Sequence, residues 1–171
     1  MLRVLGLLVL FSASSAVAQS GRSVPGEPER SLAGINFTQT GTADIEKMYG
    51  AHSAMIAVTE EPYPAGTKLY KWGRLTVTLK VLTEPEAGHD VIRDIEVRGE
   101  GEPGNQLINR TGRGLKLGAK TSEIKKIYGI DGVSGANTLQ WPDGTTLVID
   151  VSEAGRVSRL ELRAPNTDRA H

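Results

Sequence analysis

The amino-acid sequence predicts an α+β fold of two tandem repeats, each a helix packed on a three- to four-stranded antiparallel sheet. The first observation behind this prediction is that TADIEKMYG at 42–50 returns 79 positions later as TSEIKKIYG at 121–129. The second is that a Trp, an alternating apolar strand and a charged alternating strand follow each copy in the same order. Recurrence of a whole series of elements indicates that one supersecondary unit has been copied.

Each repeated segment has the features of a short amphipathic helix. Thr42 and Thr121 suit the N-cap position, and Gly50 and Gly129 suit the left-handed position that ends a helix. Apolar residues at i, i+3 and i+4 form one stripe per helix. The stripes are Ile45, Met48 and Tyr49 in the first helix and Ile124, Ile127 and Tyr128 in the second.

The strands after each helix are predicted to have one buried and one solvated face. Alternating apolar residues form the buried face: Leu75, Val77, Leu79, Val81, Ile95 and Val97 in the first repeat, and Leu147, Ile149, Val151, Leu160 and Leu162 in the second. The last strand of each repeat carries only charge on its other face: Asp94, Glu96 and Arg98, or Arg159, Glu161 and Arg163. Such alternation predicts antiparallel sheet with one face open to water.

The start of the chain predicts export. Residues 1–3 are a short basic start, 4–11 are an apolar run, and 16–18 read A-x-A, which together fit a secretory signal peptide. The apolar run is far shorter than the ~20 residues that a membrane-spanning helix needs. We therefore expect cleavage after Ala18 and a periplasmic or secreted mature chain, as in a bacterial envelope, with no membrane span.

Composition divides the remaining chain into segments. Ser, Pro, Gly and charged residues without an apolar period predict a flexible leader at 19–33, and GEGEPG at 99–104 predicts a turn between the repeats. The expected organisation is a signal peptide at 1–18, the leader at 19–33, repeat 1 at 34–98, the inter-repeat turn at 99–104, repeat 2 at 105–163 and a disordered tail at 164–171.

Charge and cysteine content exclude several classes of protein. The chain has 20 basic and 20 acidic residues, and this neutrality argues against nucleic acid or anionic lipid as a partner. It contains no Cys, which excludes a disulfide framework, thiolate chemistry and a lipid anchor on an N-terminal Cys. A chain of this composition must depend on a packed core, so the two repeats are expected to pack against each other.

The two repeats differ in loop length, and the extra length is predicted to carry partner binding. Gly50 lies 22 positions before Trp72, whereas Gly129 lies 12 positions before Trp141, and the turn at 83–90 adds five more residues to repeat 1. Part of the longer loop, 53–59, has the pattern of an additional strand. Function concentrates in such loops. The predicted partner-binding residues are Glu60, Glu61, Tyr63, Glu84, Glu86, Asp90, Trp72 and Trp141.

Several of these aromatic and titratable residues have a second interpretation. Trp72 and Trp141 stand at equivalent positions, which favours a repeated packing role over contact with a partner. Tyr63, between two prolines, is either a partner contact or exposed loop filler. His52 and His89 match no metal-ligand or catalytic spacing, so we expect them to be solvated. The sequence thus predicts no catalytic residue, no metal and no cofactor.

The order of motifs resembles two groups of bacterial proteins. From GLKLG at 114–118 through the Tyr-Gly helix end, the Trp strand and the final strand at 163, the pattern is similar to the BamE-like outer-membrane assembly lipoproteins. The tandem arrangement resembles the bacterial beta-lactamase inhibitor protein, whose two similar units form one concave sheet. The resemblance implies protein binding without catalysis.

The expected function is therefore that of an exported, non-catalytic protein-binding module, inhibitor-like or an envelope accessory factor. It would bind through the solvated sheet face and the loops of repeat 1. The alternative is a small extracytoplasmic enzyme or ligand carrier with a site between the repeats. That alternative requires a pocket in which several polar groups converge.

Overall fold

The fold is described from a computed structural model that defines residues 21–37, 40–61, 63–74, 77–86, 89–99 and 109–165. The predicted signal peptide at 1–18, most of the turn at 99–104 and the tail from 166 lie outside these residues. The described helices are α1 (Thr42–Tyr49) and α2 (Thr121–Tyr128). The described strands are β1 (Arg22–Ser23), β2 (Ser31–Leu32), β3 (Ile35–Asn36), β4 (Ala54–Ala57), β5 (Lys68–Arg74), β6 (Val77–Glu86), β7 (His89–Gly99), β8 (Gly135–Gln140), β9 (Thr146–Val151) and β10 (Val157–Arg163).

Eight of the strands form one continuous sheet in the order β1-β8-β9-β10-β7-β6-β5-β4. Its pairs are antiparallel except for β1 and β8, which run parallel. The remaining strands, β2 and β3, form a separate two-stranded ribbon. The described chain is thus mainly β-structure, with two short helices on a large mixed sheet.

The predicted fold class of two repeats, each a helix on its own small sheet, is therefore wrong. The last strands of the two halves, β7 and β10, pair antiparallel from Arg98 and Arg159 at one end to Asp94 and Arg163 at the other. Two separate sheets would each leave a row of unpaired backbone groups at this edge, and the pairing satisfies both rows. Side-chain alternation identifies the two faces of a strand, but it does not indicate which neighbouring strand lies at each edge. The sequence pattern therefore did not predict the pairing of β7 with β10.

The two helices occupy the predicted segments, but each starts one residue earlier than predicted, at the threonine that was expected to be its N-cap. The N-caps are Gly41 and Lys120, and the threonines that follow them are the first helical residues. The carboxylate of Asp44 accepts the backbone N–H of Gly41 at 3.2 Å, and that of Glu123 accepts the N–H of Lys120 at 3.4 Å. These carboxylates therefore bind the N-cap N–H groups and also lie near the positive ends of the helix dipoles.

One hydrophobic core lies on one face of the sheet, which we call the inner face. It joins the buried residues of both helices to the inward-facing residues of β5 to β10. The predicted inward positions Ile95, Val97, Leu160 and Leu162 are all buried, which confirms the faces assigned to β7 and β10. Helix burial is narrower than predicted, because Met48 remains 43% exposed.

Residues 21–33, within the segment expected to be a flexible leader, pack against the second half of the sheet. β1 pairs with β8, and the backbone N–H of Val24 donates to the C=O of Gln140 at 3.2 Å. Val24 and Leu32 are buried in the core. The buried residues of this segment follow no helical or strand period. The hydrophobic pattern of the sequence therefore does not predict that they pack in the core.

Candidate functional site

The candidate site lies on the opposite face of the sheet, which we call the outer face. Its residues are those directed away from the core by the alternation of β4 to β10. Strand register aligns them in rows that cross the sheet. One row, here called the outer row, runs through paired residues of six strands: Ile56, Leu69, Leu82, Asp94, Arg163 and Thr146. Its first three members are apolar and its last three are polar or charged.

An ion-pair network occupies the neighbouring rows at the centre of the outer face. Arg159 Nε lies 2.7 Å from Glu96 Oε2, its Nη1 lies 3.2 Å from Asp150 Oδ2, and its Nη2 pairs with Glu161. Lys80 Nζ lies 2.8 Å from the other oxygen of Glu96. Register sets Glu96 directly opposite Glu161, a repulsive cross-strand pair. Arg159 offsets that repulsion because it bonds both carboxylates.

The network stabilises the charged forms of Glu96 and Arg159. Partial burial alone would raise the pKa of Glu96, but the hydrogen bonds and charges of Lys80 and Arg159 outweigh it, so this pKa lies below its ordinary value. Burial would lower the pKa of Arg159, yet the neighbouring carboxylates, Glu161 first among them, raise it above the usual range. The pair of Glu96 and Arg159 at the centre of the outer face is therefore charged around neutral pH.

A β-bulge brings Arg93 onto the outer face beside this network. Thr83 pairs with Ile92 and Leu82 pairs with Asp94, so Arg93 is the extra residue of β7. Its Nε donates to Glu84 at 3.1 Å and its Nη2 to Glu86 at 3.1 Å. The bulge also lets Ile92 and Ile95, three positions apart, both enter the core.

An open groove of about 380 Å³, which we call the outer groove, lies where the outer row changes from apolar to charged. Tyr63 of the β4–β5 loop, with 38% of its surface exposed, forms part of its wall. The complete lining is Tyr63, Leu82, Glu84, Arg93, Asp94, Gly144, Thr146, Glu161, Arg163, Ala164 and Pro165. The groove thus joins a loop of the first half to the strand ends of both halves.

The structure places the predicted binding residues of repeat 1 in different surroundings. Tyr63 and Glu84 line the outer groove, and Glu86 lies next to it through its pair with Arg93. Asp90 binds Lys68 Nζ at 2.9 Å, which raises the pKa of that lysine. The exposed residues at 60 and 61 lie in the β4–β5 loop and are absent from the groove lining.

Both tryptophans lie on the inner face, away from the groove. Trp72 is 4% exposed and its indole N–H donates to the C=O of Gly50 at 2.9 Å. Trp141 is 2% exposed and lies edge-on to Tyr128, with ring centroids 6.3 Å apart. Their packing agrees with the repeated-packing interpretation of these positions, and partner contact at either ring stays a prediction.

The two loop histidines do not meet in the structure. His52 Nδ1 lies 2.9 Å from Glu46 Oε1, and its ring packs edge-on against Tyr70 and Trp72. His89 is exposed at the start of β7. Among the residues that the structure describes, no group of three or more His, Cys, Asp or Glu is placed to hold a metal ion, and no helix is long and apolar enough to span a membrane.

A second cavity of about 490 Å³ lies at the other end of the sheet. The turn between β9 and β10 supplies most of its lining, with Gly99 and Gly118 beside it. Arg156 also lines this cavity, and its guanidinium already donates to the C=O of Gly118 at 2.9 Å. The outer groove is lined by charged side chains and a tyrosine that come from both halves of the sheet, so it is the stronger candidate for a binding site.

Sequence reasoning identified the charged outer face and Tyr63 but missed two components of the site. It did not single out Arg93, although the apolar residues Ile92 and Ile95 break strict alternation and so signal a bulge. It also did not recognise Ile56 and Leu69 as outward-facing, because their direction depends on the register of β4 and β5.

Comparison with protein-family models, with curated proteins and with solved structures gives no match.

Proposed function

We propose that this chain is an exported, non-catalytic protein-binding module that holds its partner against the outer face of the sheet. The supporting observation is the outer row, in which Ile56, Leu69 and Leu82 continue directly into Asp94 and Arg163. Protein interfaces combine an apolar centre with a polar, hydrogen-bonding rim, and the outer row carries both in one line.

The exposure of individual side chains supports the same surface. Ile56 is 43% exposed and Tyr63 38% exposed, whereas Leu82, between them and the charges, is 8% exposed. Tyrosine is enriched at binding hot spots because its ring offers apolar area and its hydroxyl a hydrogen bond. The partner would thus cover Ile56 and Tyr63 and approach the Arg93 and Arg163 pairs.

The test compares two exposed residues of β4 that point to opposite faces. Immobilised mature protein captures partners from the native envelope or culture fluid, alongside an Ile56→Asp/Tyr63→Ala variant and a Met55→Asp variant. Met55 is 54% exposed and lies on the inner-face side of the same strand, which makes it the matched control. We expect the outer-face variant to lose the captured protein and Met55→Asp to retain it.

Two results would contradict the proposal. One is capture that survives Ile56→Asp/Tyr63→Ala unchanged. The other is equal loss in both variants, which would place binding at the strand edge rather than on the outer face. Circular dichroism and thermal melts of all three proteins verify that each is folded. We expect similar stabilities, because surface substitutions usually alter the free energy of unfolding by less than about 0.5 kcal/mol.

A further inference from the structure

We propose that the outer groove binds an acidic side chain of the partner, with the guanidinium of Arg163 and the phenol of Tyr63 as its two ligands. The inference rests on the proposed function and specifies its partner chemistry. It comes from an accounting of the hydrogen-bonding groups that line the groove.

The carboxylates of the groove already have partners. Glu84 accepts Arg93 Nε at 3.1 Å. Glu161 accepts Arg163 Nε at 2.8 Å on one oxygen and pairs with Arg159 through the other. Asp94 is also engaged and lies close enough to Arg163 to stabilise its charge. A cationic partner group would therefore have to displace existing ion pairs.

Arg163 is different, because most of its donors have no partner within the described part of the chain. Its side chain is 49% exposed, and of its five N–H groups only Nε has a partner among the described residues. The two terminal nitrogens form the planar fork that matches a carboxylate. The bond from Nε to Glu161 restrains the guanidinium, so part of the entropic cost of ordering this side chain has been met before a ligand arrives.

Tyr63, in the β4–β5 loop of the first half, supplies a second hydrogen-bond donor to the groove. Within the described part of the chain its hydroxyl has no hydrogen-bond partner, and the residue is 38% exposed. Leu82, Ala164 and Pro165 add apolar surface to the same groove. The methylene stem of an acidic side chain can cover that surface while its carboxylate reaches the polar donors.

The backbone of the groove argues for a side chain rather than a chain terminus. Terminal carboxylates are commonly held by several backbone N–H groups arranged as a nest. Here the N–H of Gly144 donates to Trp141 at 3.0 Å, the N–H of Ala164 donates to Arg93 at 2.8 Å, and Pro165 has none. With those backbone groups used or missing, the ligands of a carboxylate in this groove are side-chain donors, those of Arg163 and Tyr63.

The test is a nuclear magnetic resonance titration of the ¹⁵N-labelled mature protein with N-acetyl-glutamate N-methylamide, whose only carboxylate is in the side chain. We expect saturable shifts at Arg163 Nε and at the amides of Thr146 and Ala164. The glutamine analogue should bind at least about tenfold more weakly, as expected for loss of charge-assisted hydrogen bonds. N-acetyl-glycine, which carries only a terminal carboxylate, should also bind more weakly.

Variants then assign the contacts. Arg163→Gln should weaken binding by about tenfold and Arg163→Lys by less, whereas Tyr63→Phe should weaken it by about threefold, in line with charged and neutral hydrogen bonds respectively. Arg98→Gln is the matched control, because Arg98 is an exposed arginine of the outer face that does not line the groove. Unperturbed ¹⁵N spectra away from the groove show that each variant is folded.

The outcomes separate this inference from the proposed function. Equal binding of the glutamate and glutamine probes, or unchanged binding by Arg163→Gln, would overturn the inference. So would stronger binding of N-acetyl-glycine, which would assign the groove to a chain terminus. If the inference fails but outer-face capture persists, the proposed function stands. If the glutamate probe binds but no protein is captured, the protein-binding function fails while the carboxylate site remains.

Discussion

Tyr49 and Tyr128 end the two helices at equivalent positions, yet their hydroxyl groups are satisfied in different ways. Tyr49 donates to a backbone carbonyl, that of Ala33. Tyr128 donates to the carboxylate of Glu29 at 3.0 Å and contacts Thr111 Oγ1 at 3.0 Å. Glu29 is only 3% exposed, and burial and this neighbouring charge raise the pKa of Tyr128 far above its ordinary value.

The tryptophans show the same contrast. The indole N–H of Trp72 donates to the C=O of Gly50, whereas that of Trp141 has no partner among the described residues. The guanidinium of Arg113 instead lies over the ring of Trp141, 5.8 Å from its centre. Backbone carbonyls therefore accept hydrogen bonds from the buried Tyr49 and Trp72 of the first half, whereas charged side chains lie against Tyr128 and Trp141 of the second.

The sheet edges differ in parallel with the aromatic residues. β4 ends the sheet in the first half, while β8 is covered by β1 from the N-terminal segment. Glu29 belongs to that same segment. The comparison teaches that β1, Val24 and Glu29 of the N-terminal segment complete the second half of the molecule, and that repetition in sequence does not make the two halves equivalent in structure.

The largest expected effect is that of removing the N-terminal segment. A chain starting at Gly34 should lose at least about 3 kcal/mol relative to one starting at Gly21, because it loses the burial of Val24 and Leu32 at about 1.5–3 kcal/mol each. Denaturant unfolding measures the difference. Equal stability of the two chains would mean that the segment is dispensable and that the contrast between the halves has no energetic basis.

Truncation of the helix stripes tests the feature that the halves share. Ile45→Ala and Ile124→Ala should each cost about 2–5 kcal/mol, since both isoleucines are completely buried. Met48→Ala, at a position that is 43% exposed, serves as the control and should cost less than about 0.5 kcal/mol. Chemical melts that show a large loss for only one isoleucine would indicate that one helix does not support the core.

The tyrosines sharpen the contrast most directly. Tyr128→Phe should cost about 1–3 kcal/mol, because it leaves the buried Glu29 without one of its donors, whereas Tyr49→Phe should cost about 0.5–1.5 kcal/mol for the loss of its neutral hydrogen bond to the C=O of Ala33. Thermal and denaturant melts of the two variants, run in parallel at neutral pH, measure the difference. A Tyr49→Phe loss equal to or larger than that of Tyr128→Phe would refute the proposed difference in their surroundings.

The smallest expected effect concerns the network that joins the halves across β7 and β10. Glu96→Gln should cost about 1 kcal/mol at pH 7, a modest value because Glu96 retains some exposure. Since its folded-state pKa lies below the unfolded value of about 4.3, this stabilisation is present above that value and is lost as the pH falls through the folded-state pKa. Urea melts from pH 7 to pH 3 should show the variant and the parent converging.

The exposed Glu153 in the turn between β9 and β10 provides the control for that series. Glu153→Gln should leave stability unchanged across the same pH range, because no ion pair of this residue occurs within the described structure. A Glu96→Gln deficit that persisted undiminished at pH 3 would show that the loss comes from packing rather than from charge.

Much of the local structure was available from the sequence. Apolar spacing identified both helices, the alternation of β7 and β10 identified their buried faces, and the loop at 53–59 did contain a strand, β4. The candidate site was accessible only in part. Tyr63 and Glu84 were named from loop length, whereas Arg93 and Ile56 take their direction from a bulge and from strand register. A bulge and a register are relations between strands, so one strand alone does not reveal them.

The sequence by itself determined where the helices form and which face of each strand is apolar, because both follow from periods of 3.6 and 2 along the chain. Only the tertiary structure decided that β7 and β10 pair to give one sheet, and that the segment containing Glu29 closes the second half. Strand edges pair through backbone N–H and C=O groups that every residue except Pro carries in full. The choice of edge therefore leaves no mark in the side-chain pattern and is settled only when the whole chain folds.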